Sequence, residues 1–234
     1  MTGTIIELAI AAIVFVGSHF GISSTWVRED LVRRLGERAY VMLYSAVSLI
    51  LLAWLIRAYS TVTNPLLEWE RPRAFIVIPI VVMPFALFLL VCGYTQRNPT
   101  AVMQKASLPT DRPAPGILAI TRHPLMWAIG LWAIVHLFIS RDLAAFIFFG
   151  AFAVLALYGT RVLDAKKQRT WPAEEWRRFA AATSNIPFGA IFTSRNEFHI
   201  AEVGWWRVMA AGILFIVLVI FHAAFTGVSV IVQY

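Results

Sequence analysis

The sequence predicts an all-α, polytopic membrane helix bundle of about six transmembrane helices, and two observations support this prediction. Of the 234 residues, 59% are hydrophobic and only 14% are charged, whereas a soluble globular chain carries about 25% charged residues. The apolar residues also gather in blocks of roughly twenty, the helix length that crosses about 30 Å of hydrocarbon. These blocks cover about 4–23, 39–60, 75–95, 124–140, 142–162 and 208–232, and residues 1–234 are expected to form one domain.

The connections between the blocks predict the remaining elements. The first block is expected to stay in the protein as a helix, because its start has no positive charge and Glu7 is its only charged residue. Little more than Arg141 and Asp142 joins the fourth block to the fifth, which predicts a tight helical hairpin. The segments 25–38 and 170–188 alternate apolar and charged residues at helical spacing, so each is expected to form a short amphipathic surface helix.

The basic residues predict the orientation of the chain. Most of the 20 Lys and Arg residues lie in the connections 24–38, 96–123 and 161–207. Cytoplasmic loops carry an excess of these residues, so both termini are expected to face away from the cytoplasm. The net charge of +7 then reflects a basic rim that faces anionic membrane lipid, and no nucleic-acid partner is expected. The lone Cys92 excludes an intrachain disulfide, and the absence of C-x-x-C-H excludes a c-type haem.

Four of the five histidines lie in or at the ends of the predicted membrane helices: His19, His123, His136 and His222. Hydrocarbon offers an imidazole no partner, so each is a candidate functional residue. Such residues can ligate a metal or haem iron, relay protons, or form structural hydrogen bonds between helices. The spacings typical of zinc sites do not occur. A b-type haem needs only one or two imidazoles and an apolar slot.

Helix geometry limits how these histidines can pair. His123 and His136 are thirteen residues apart, which places them about 20 Å apart along one helix axis, so they cannot share an iron. The predicted depth in the membrane pairs His19 with His123, and His136 with His222.

Several strings make the chain resemble the NnrU family over essentially its whole length. They are "GSH" with His19, "GILAITRHPLMWAIGLWAIVHL", "EEWRRFAAATSNIPFGAIF" and "FHAAFTGVS" with His222. This family comprises bacterial inner-membrane proteins, is associated with denitrification and nitrogen-oxide metabolism, and includes relatives of the plant 15-cis-zeta-carotene isomerase. The chain departs from the family where many members have Asn-Gly and this sequence has Ser140-Arg141.

The resemblance implies a haem b protein in the bacterial inner membrane. It maps the axial iron ligands onto His19 and His136, with His222 and His123 as alternates. Arg122 would then pair with a haem propionate, because guanidinium binds carboxylate well. The activity it implies is redox-gated cis-trans isomerisation of a lipophilic substrate that enters from the membrane lipid.

Two alternatives remain open at this stage. "TRHP" with a later "EEW" is similar to isoprenylcysteine and phospholipid methyltransferases, which hold S-adenosylmethionine at the cytoplasmic face. That resemblance implies that Arg122 and His123 contact the cofactor carboxylate and that Glu174 or Glu175 contacts its amine. The other alternative is a non-catalytic membrane factor that supports denitrification and has structural histidines. The sequence does not identify a protein partner.

Overall fold

The computed structural model describes residues 3–23, 26–64, 66–67, 70, 75, 77–100 and 114–228, and this part of the chain is almost entirely helical. Its helices are α1 (Ile5–Gly21), α2 (Trp26–Leu35), α3 (Glu37–Ser60), α4 (Val77–Thr95), α5 (Ile117–Ile120), α6 (Pro124–Ile139), α7 (Leu143–Thr170), α8 (Ala173–Ala182), α9 (Gly189–Phe192), α10 (Ile200–Val203) and α11 (Trp205–Thr226). Within these ranges β-structure is limited to one isolated bridge, between Gly3 and Val62. The predicted all-α class is confirmed.

All six predicted apolar blocks form helices, but fewer than six are long enough to cross a membrane. In the described residues, α3, α4, α7 and α11 qualify by length and composition, and the count is five if α1 and α2, bent by 73°, are taken as one span. Helix α6 has 16 residues, about 24 Å, which is shorter than the roughly 30 Å hydrocarbon layer. The prediction of about six spans was therefore slightly too high. The structure is that of an integral membrane protein with four to five membrane spans.

The surfaces of the spanning helices are apolar. On α3, Ile50 is 67% exposed, and on α11 Phe225 is 75% exposed. Contiguous apolar surface of this size is rare on soluble proteins. These faces are therefore expected to contact the acyl chains of membrane lipid.

Helix ends differ from the prediction where hydropathy gives no signal. Helix α7 continues past residue 162 to Thr170, since its polar last turns contain no helix breaker before Pro172. Helix α11 begins at Trp205, directly after Gly204, whose φ of +85° suits glycine. It ends at Thr226, before Gly227 with φ +74°; residues 229–232 of the predicted span lie outside the described part.

Contacts divide the chain into two compact units, which are described separately. Unit 1 comprises residues 1–79 and 132–170, and unit 2 comprises residues 80–131 and 171–234. The predicted single domain stays a prediction.

In unit 1, helix α1 packs against both α3 and α7. Thr4 caps α1, because its hydroxyl accepts a hydrogen bond from the backbone N–H of Glu7 at 3.1 Å. The Glu7 carboxylate in turn accepts a bond from the Trp54 indole at 3.3 Å, which ties α1 to α3. The core between these helices is built from apolar side chains, chiefly Leu8, Ala11, Phe15, Leu55, Ala58, Ala144, Phe148 and Ala151.

In unit 2, the core collects residues from α4, α5, α8 and α10: Leu89, Cys92, Ile117, Leu118, Ile120, Trp176, Phe179 and Val203. Helix α8 lies within the predicted surface segment 170–188 and buries Trp176 and Phe179 against this core. Within the predicted amphipathic segment 25–38, Trp26–Leu35 forms α2, which buries none of its residues and belongs to unit 1, and Glu37 begins α3.

Gly93→Ala is expected to destabilise unit 2, because α4 approaches the start of α6 closely at this position. A Cβ on residue 93 would lie 3.0 Å from the backbone nitrogen of Leu125, and overpacking of this kind costs about 1–3 kcal/mol. Gly212→Ala in α11 is the control, since a Cβ there meets no atom within 4 Å. Thermal melting in detergent should show a lower midpoint for Gly93→Ala and an equal or higher one for Gly212→Ala. Equal melting of Gly93→Ala and the unsubstituted protein would contradict the close approach.

Candidate functional site

His19 lies near the end of α1, in unit 1, and its ring is fixed by the turn before it. Its Nδ1 lies 2.8 Å from the backbone oxygen of Phe15, four residues earlier. The ring also contacts Phe15, with 4.6 Å between centroids, and Tyr44 of α3, at 5.8 Å. Ser23, four residues later, donates its hydroxyl to the His19 carbonyl, which α1 leaves without a helical partner at its end.

His136 lies near the end of α6, in the part of that helix that belongs to unit 1, and its surroundings repeat those of His19. Its Nδ1 lies 2.7 Å from the backbone oxygen of Trp132, four residues earlier. The ring stacks on Phe149, with 4.6 Å between centroids, and contacts Trp132 at 5.1 Å. Ser140, four residues later, donates its hydroxyl to the His136 carbonyl.

Both histidines therefore occupy the same local motif, an aromatic residue, then His, then Ser, each four residues apart. A backbone carbonyl can only accept, so Nδ1 must carry the proton in both rings. In the neutral imidazole this leaves the lone pair on Nε2. Metal-ligating histidines commonly donate their other ring N–H to a carbonyl, which fixes the ring and raises its basicity. The chemistry of this donor set suits an iron ligand.

A continuous set of aromatic contacts connects the two imidazoles within unit 1. Phe15, beside His19, lies 5.7 Å from Phe152 of α7, and Phe152 lies 5.3 Å from Trp132, beside His136. Phe148 and Phe149 of α7 complete this aromatic cluster. The imidazoles are thus joined through aromatic rings. These rings belong to the apolar core of unit 1.

His123 and Arg122 lie in unit 2, where the "TRHP" motif folds against the segment after α8. His123 is 2% exposed and directly precedes α6. The Arg122 backbone N–H donates to Ser184 O at 2.9 Å. The Arg122 guanidinium lies 5.6 Å from the Trp176 ring and 3.4 Å from Thr183 O.

Asn185 is the centre of the same contact region. Its backbone oxygen accepts from the Thr121 hydroxyl and from the Trp127 indole, both at 2.7 Å. One turn later, the Phe188 N–H donates to Ile120 O at 2.8 Å. These bonds explain the "TRHP" and "SNIPF" strings as parts of one structural junction. Glu174, one of the two predicted partners of a cofactor amine, is exposed and ion-paired with Arg177 at 2.9 Å.

His222 lies near the end of α11, in unit 2, and its Nδ1 bond differs from those of His19 and His136. Nδ1 lies 2.8 Å from Val228 O, six residues later, and 3.1 Å from the Thr226 hydroxyl. Thr226 also donates to the His222 carbonyl at 2.8 Å. These local bonds close the end of the helix, which supports a structural role for His222.

The candidate residues therefore separate into two sets. His19 and His136 share unit 1 and its aromatic cluster, whereas Arg122, His123 and His222 belong to unit 2. His19 and His136, the pair that the family resemblance implies, lie in one unit. Each pair predicted from membrane depth, His19 with His123 and His136 with His222, has one member in each unit. Among the described residues, no group of three or more His, Cys, Asp or Glu side chains could hold a metal ion. The sequence reasoning missed the repeated aromatic-His-Ser spacing, which is visible as "FVGSHFGIS" and "WAIVHLFIS".

The comparisons with known proteins agree with the motifs. The sequence matches the family described as NnrU protein over residues 7–230, nearly its whole length. No curated protein and no solved structure matches it. With this match and its apolar helices, the chain belongs to the NnrU family of proteins.

Proposed function

We propose that this integral membrane protein binds a b-type haem through Nε2 of His19 and Nε2 of His136. The observation that carries the proposal is the matched pair of Nδ1–H bonds to Phe15 O and Trp132 O, at 2.8 and 2.7 Å. Each bond fixes the tautomer and aims the other nitrogen away from its own helix turn. We place the protein in the bacterial inner membrane, with both termini on the periplasmic side.

The protein's own groups would set the properties of this site. When bound, the haem supplies an iron that acts as a redox centre or Lewis acid. Phe15 O and Trp132 O hold the two imidazoles and strengthen them as ligands. The aromatic cluster around Phe149 and Phe152 excludes water and offers a lipophilic substrate an apolar wall.

The reaction class we propose follows from this combination of a redox centre and a lipid-facing apolar site. It is a redox step in nitrogen-oxide metabolism, or the cis-trans isomerisation of a lipophilic polyene that enters from the bilayer. Arg122 and His123 make contacts that support the junction in unit 2. They are therefore assigned no step in this reaction.

The experiment is an absorption spectrum of the full chain, purified in detergent after expression with ample haem. We expect a Soret band that shifts on reduction with dithionite. Its absorbance should correspond to about one haem per chain. If the purified protein carries no Soret band and gains none with added haemin, the proposal fails. That result would instead favour a non-catalytic membrane factor.

A further inference from the structure

Three hydroxyl-bearing residues form a row on one face of α3. Tyr40, Tyr44 and Ser48 are four residues apart, so their side chains lie one above the other. The three hydroxyl oxygens are buried and have no hydrogen-bond partner among the described residues. Tyr40 as a whole is only 5% exposed. Unpaired buried hydroxyls are costly, and three in succession point to something that satisfies them. We call Tyr40, Tyr44 and Ser48 the hydroxyl row.

Ser48 differs from comparable residues in other helices. Ser18, Thr95 and Thr160 donate their hydroxyls to a carbonyl three or four residues earlier, at 2.6 to 2.8 Å. Ser48 makes no such bond, although the carbonyl of Tyr44 stands four residues before it. Its hydroxyl is therefore directed away from its own backbone, as expected for a group that binds something else.

The row connects a charged surface to His19. The Arg28 guanidinium lies 5.5 Å from the Tyr40 ring. Arg28 also pairs with Glu37 at 3.3 Å, and the Glu37 side chain is 67% exposed. One turn further along α3, the Tyr44 ring meets the His19 imidazole edge-on, with 5.8 Å between centroids. One end of the row thus meets water, and its middle meets the candidate ligand.

The spacing of the row leaves room for bridging waters between successive residues. The rings of Tyr40 and Tyr44 are nearly parallel, at 12°, with centroids 5.8 Å apart. Two O–H···O bonds of about 2.8 Å through one shared water span about 4.5 Å at water's bond angle and about 5.6 Å at most, so a wider gap between hydroxyls takes a second water. Successive residues of the row are separated by a helix rise of about 6 Å. A buried water needs two or more polar partners, and successive hydroxyls supply them.

We propose that ordered waters bridge the hydroxyl row and connect the solvent at the Arg28–Glu37 ion pair with His19. Every group in this chain is both a donor and an acceptor. A proton that arrives on one lone pair is therefore balanced by release of the group's own proton on the other side. Only O–H bonds form and break, and nothing is oxidised or reduced. The chain gives the site around His19 a supply of protons, and it does not depend on whether His19 binds haem.

The test is X-ray radiolytic footprinting of the full chain in detergent, read by mass spectrometry. Radiolysis converts bound water to hydroxyl radical, so residues beside ordered water are oxidised even when buried. We expect oxidation of Tyr40, Tyr44 and His19. The exposed His199 serves as the positive reference, and the fully buried Phe179 serves as the negative one. If Tyr40 and Tyr44 are oxidised no faster than Phe179, the proposal is overturned.

Two isosteric variants test the connection along the row. Tyr40→Phe removes the first hydroxyl and should reduce oxidation of Tyr44 and His19 several-fold, with His199 unchanged. Ser48 follows Tyr44, the residue of the row that contacts His19. Ser48→Ala should therefore leave oxidation at His19 within twofold of the unsubstituted protein. Unchanged oxidation of His19 in Tyr40→Phe would contradict the chain. A higher melting temperature of Tyr40→Phe would also contradict it, because removing a hydroxyl that has no partner stabilises a protein.

Discussion

Alanine at either His19 or His136 is expected to abolish stable haem binding. Each substitution removes a proposed Nε2 ligand and also the ring that Phe15 O or Trp132 O holds in place. The other nitrogen in the aromatic cluster, the Trp132 indole N–H, is a donor only and has no lone pair for the iron. The Soret absorbance per chain should therefore fall to the background level in both variants, measured after purification with ample haem.

His199→Ala is the matched control for these two variants. His199 lies outside the spanning helices, and 53% of its side chain is exposed, so its loss should leave the Soret band unchanged. His222→Ala should also retain the band, because His222 bonds within its own helix end. A normal band in both His19→Ala and His136→Ala would show that the haem ligands lie elsewhere.

Phe179→Ala is expected to be the most damaging substitution for the fold of unit 2. Phe179 is fully buried and packs against Trp171 and Trp176, at 5.7 and 6.3 Å between ring centroids. Truncation of a buried Phe to Ala costs about 3–5 kcal/mol, a large share of the stability of a typical domain. Thermal melting of the purified protein should show a midpoint lowered by many degrees.

Phe192→Ala provides the matched comparison for Phe179. Phe192 is also an aromatic residue of unit 2, but it is 82% exposed. Its loss should change the melting midpoint little, because surface substitutions away from special features are nearly neutral. Equal melting of the two variants would contradict the packing of α8 against the unit 2 core.

The fold was largely predictable from the sequence, because hydropathy and helical spacing report burial directly. Trp176 and Phe179 were expected to share one face of a surface helix, and both are buried. The number of spans was less predictable. The fourth block was predicted at about 124–140, close to the observed helix Pro124–Ile139, but its 16 residues are too few to cross the hydrocarbon layer. The extension of α7 to Thr170 was missed because its last turns are polar but still helical.

The site was predictable only in part. Four histidines stood out because imidazoles are rare in hydrocarbon, but depth alone paired His19 with His123, a residue of the other unit. The feature that His19 and His136 share is an Nδ1 bond to the carbonyl of an aromatic residue four positions earlier, Phe15 and Trp132. The hydroxyl row was not predicted, because hydroxyl groups that are neutral near pH 7 do not stand out in an apolar helix. Tyr40 and Ser48 carry no charge, so only their burial in the structure reveals them.

The most direct test of the central claim is low-temperature electron paramagnetic resonance of the ferric protein, with ¹⁵N-labelled histidine and electron–nuclear double resonance. We predict a low-spin spectrum with hyperfine coupling to two histidine nitrogens, assigned to His19 and His136 because it is lost in either alanine variant. A high-spin spectrum, or a low-spin spectrum that survives both substitutions, would contradict ligation of the iron by this pair.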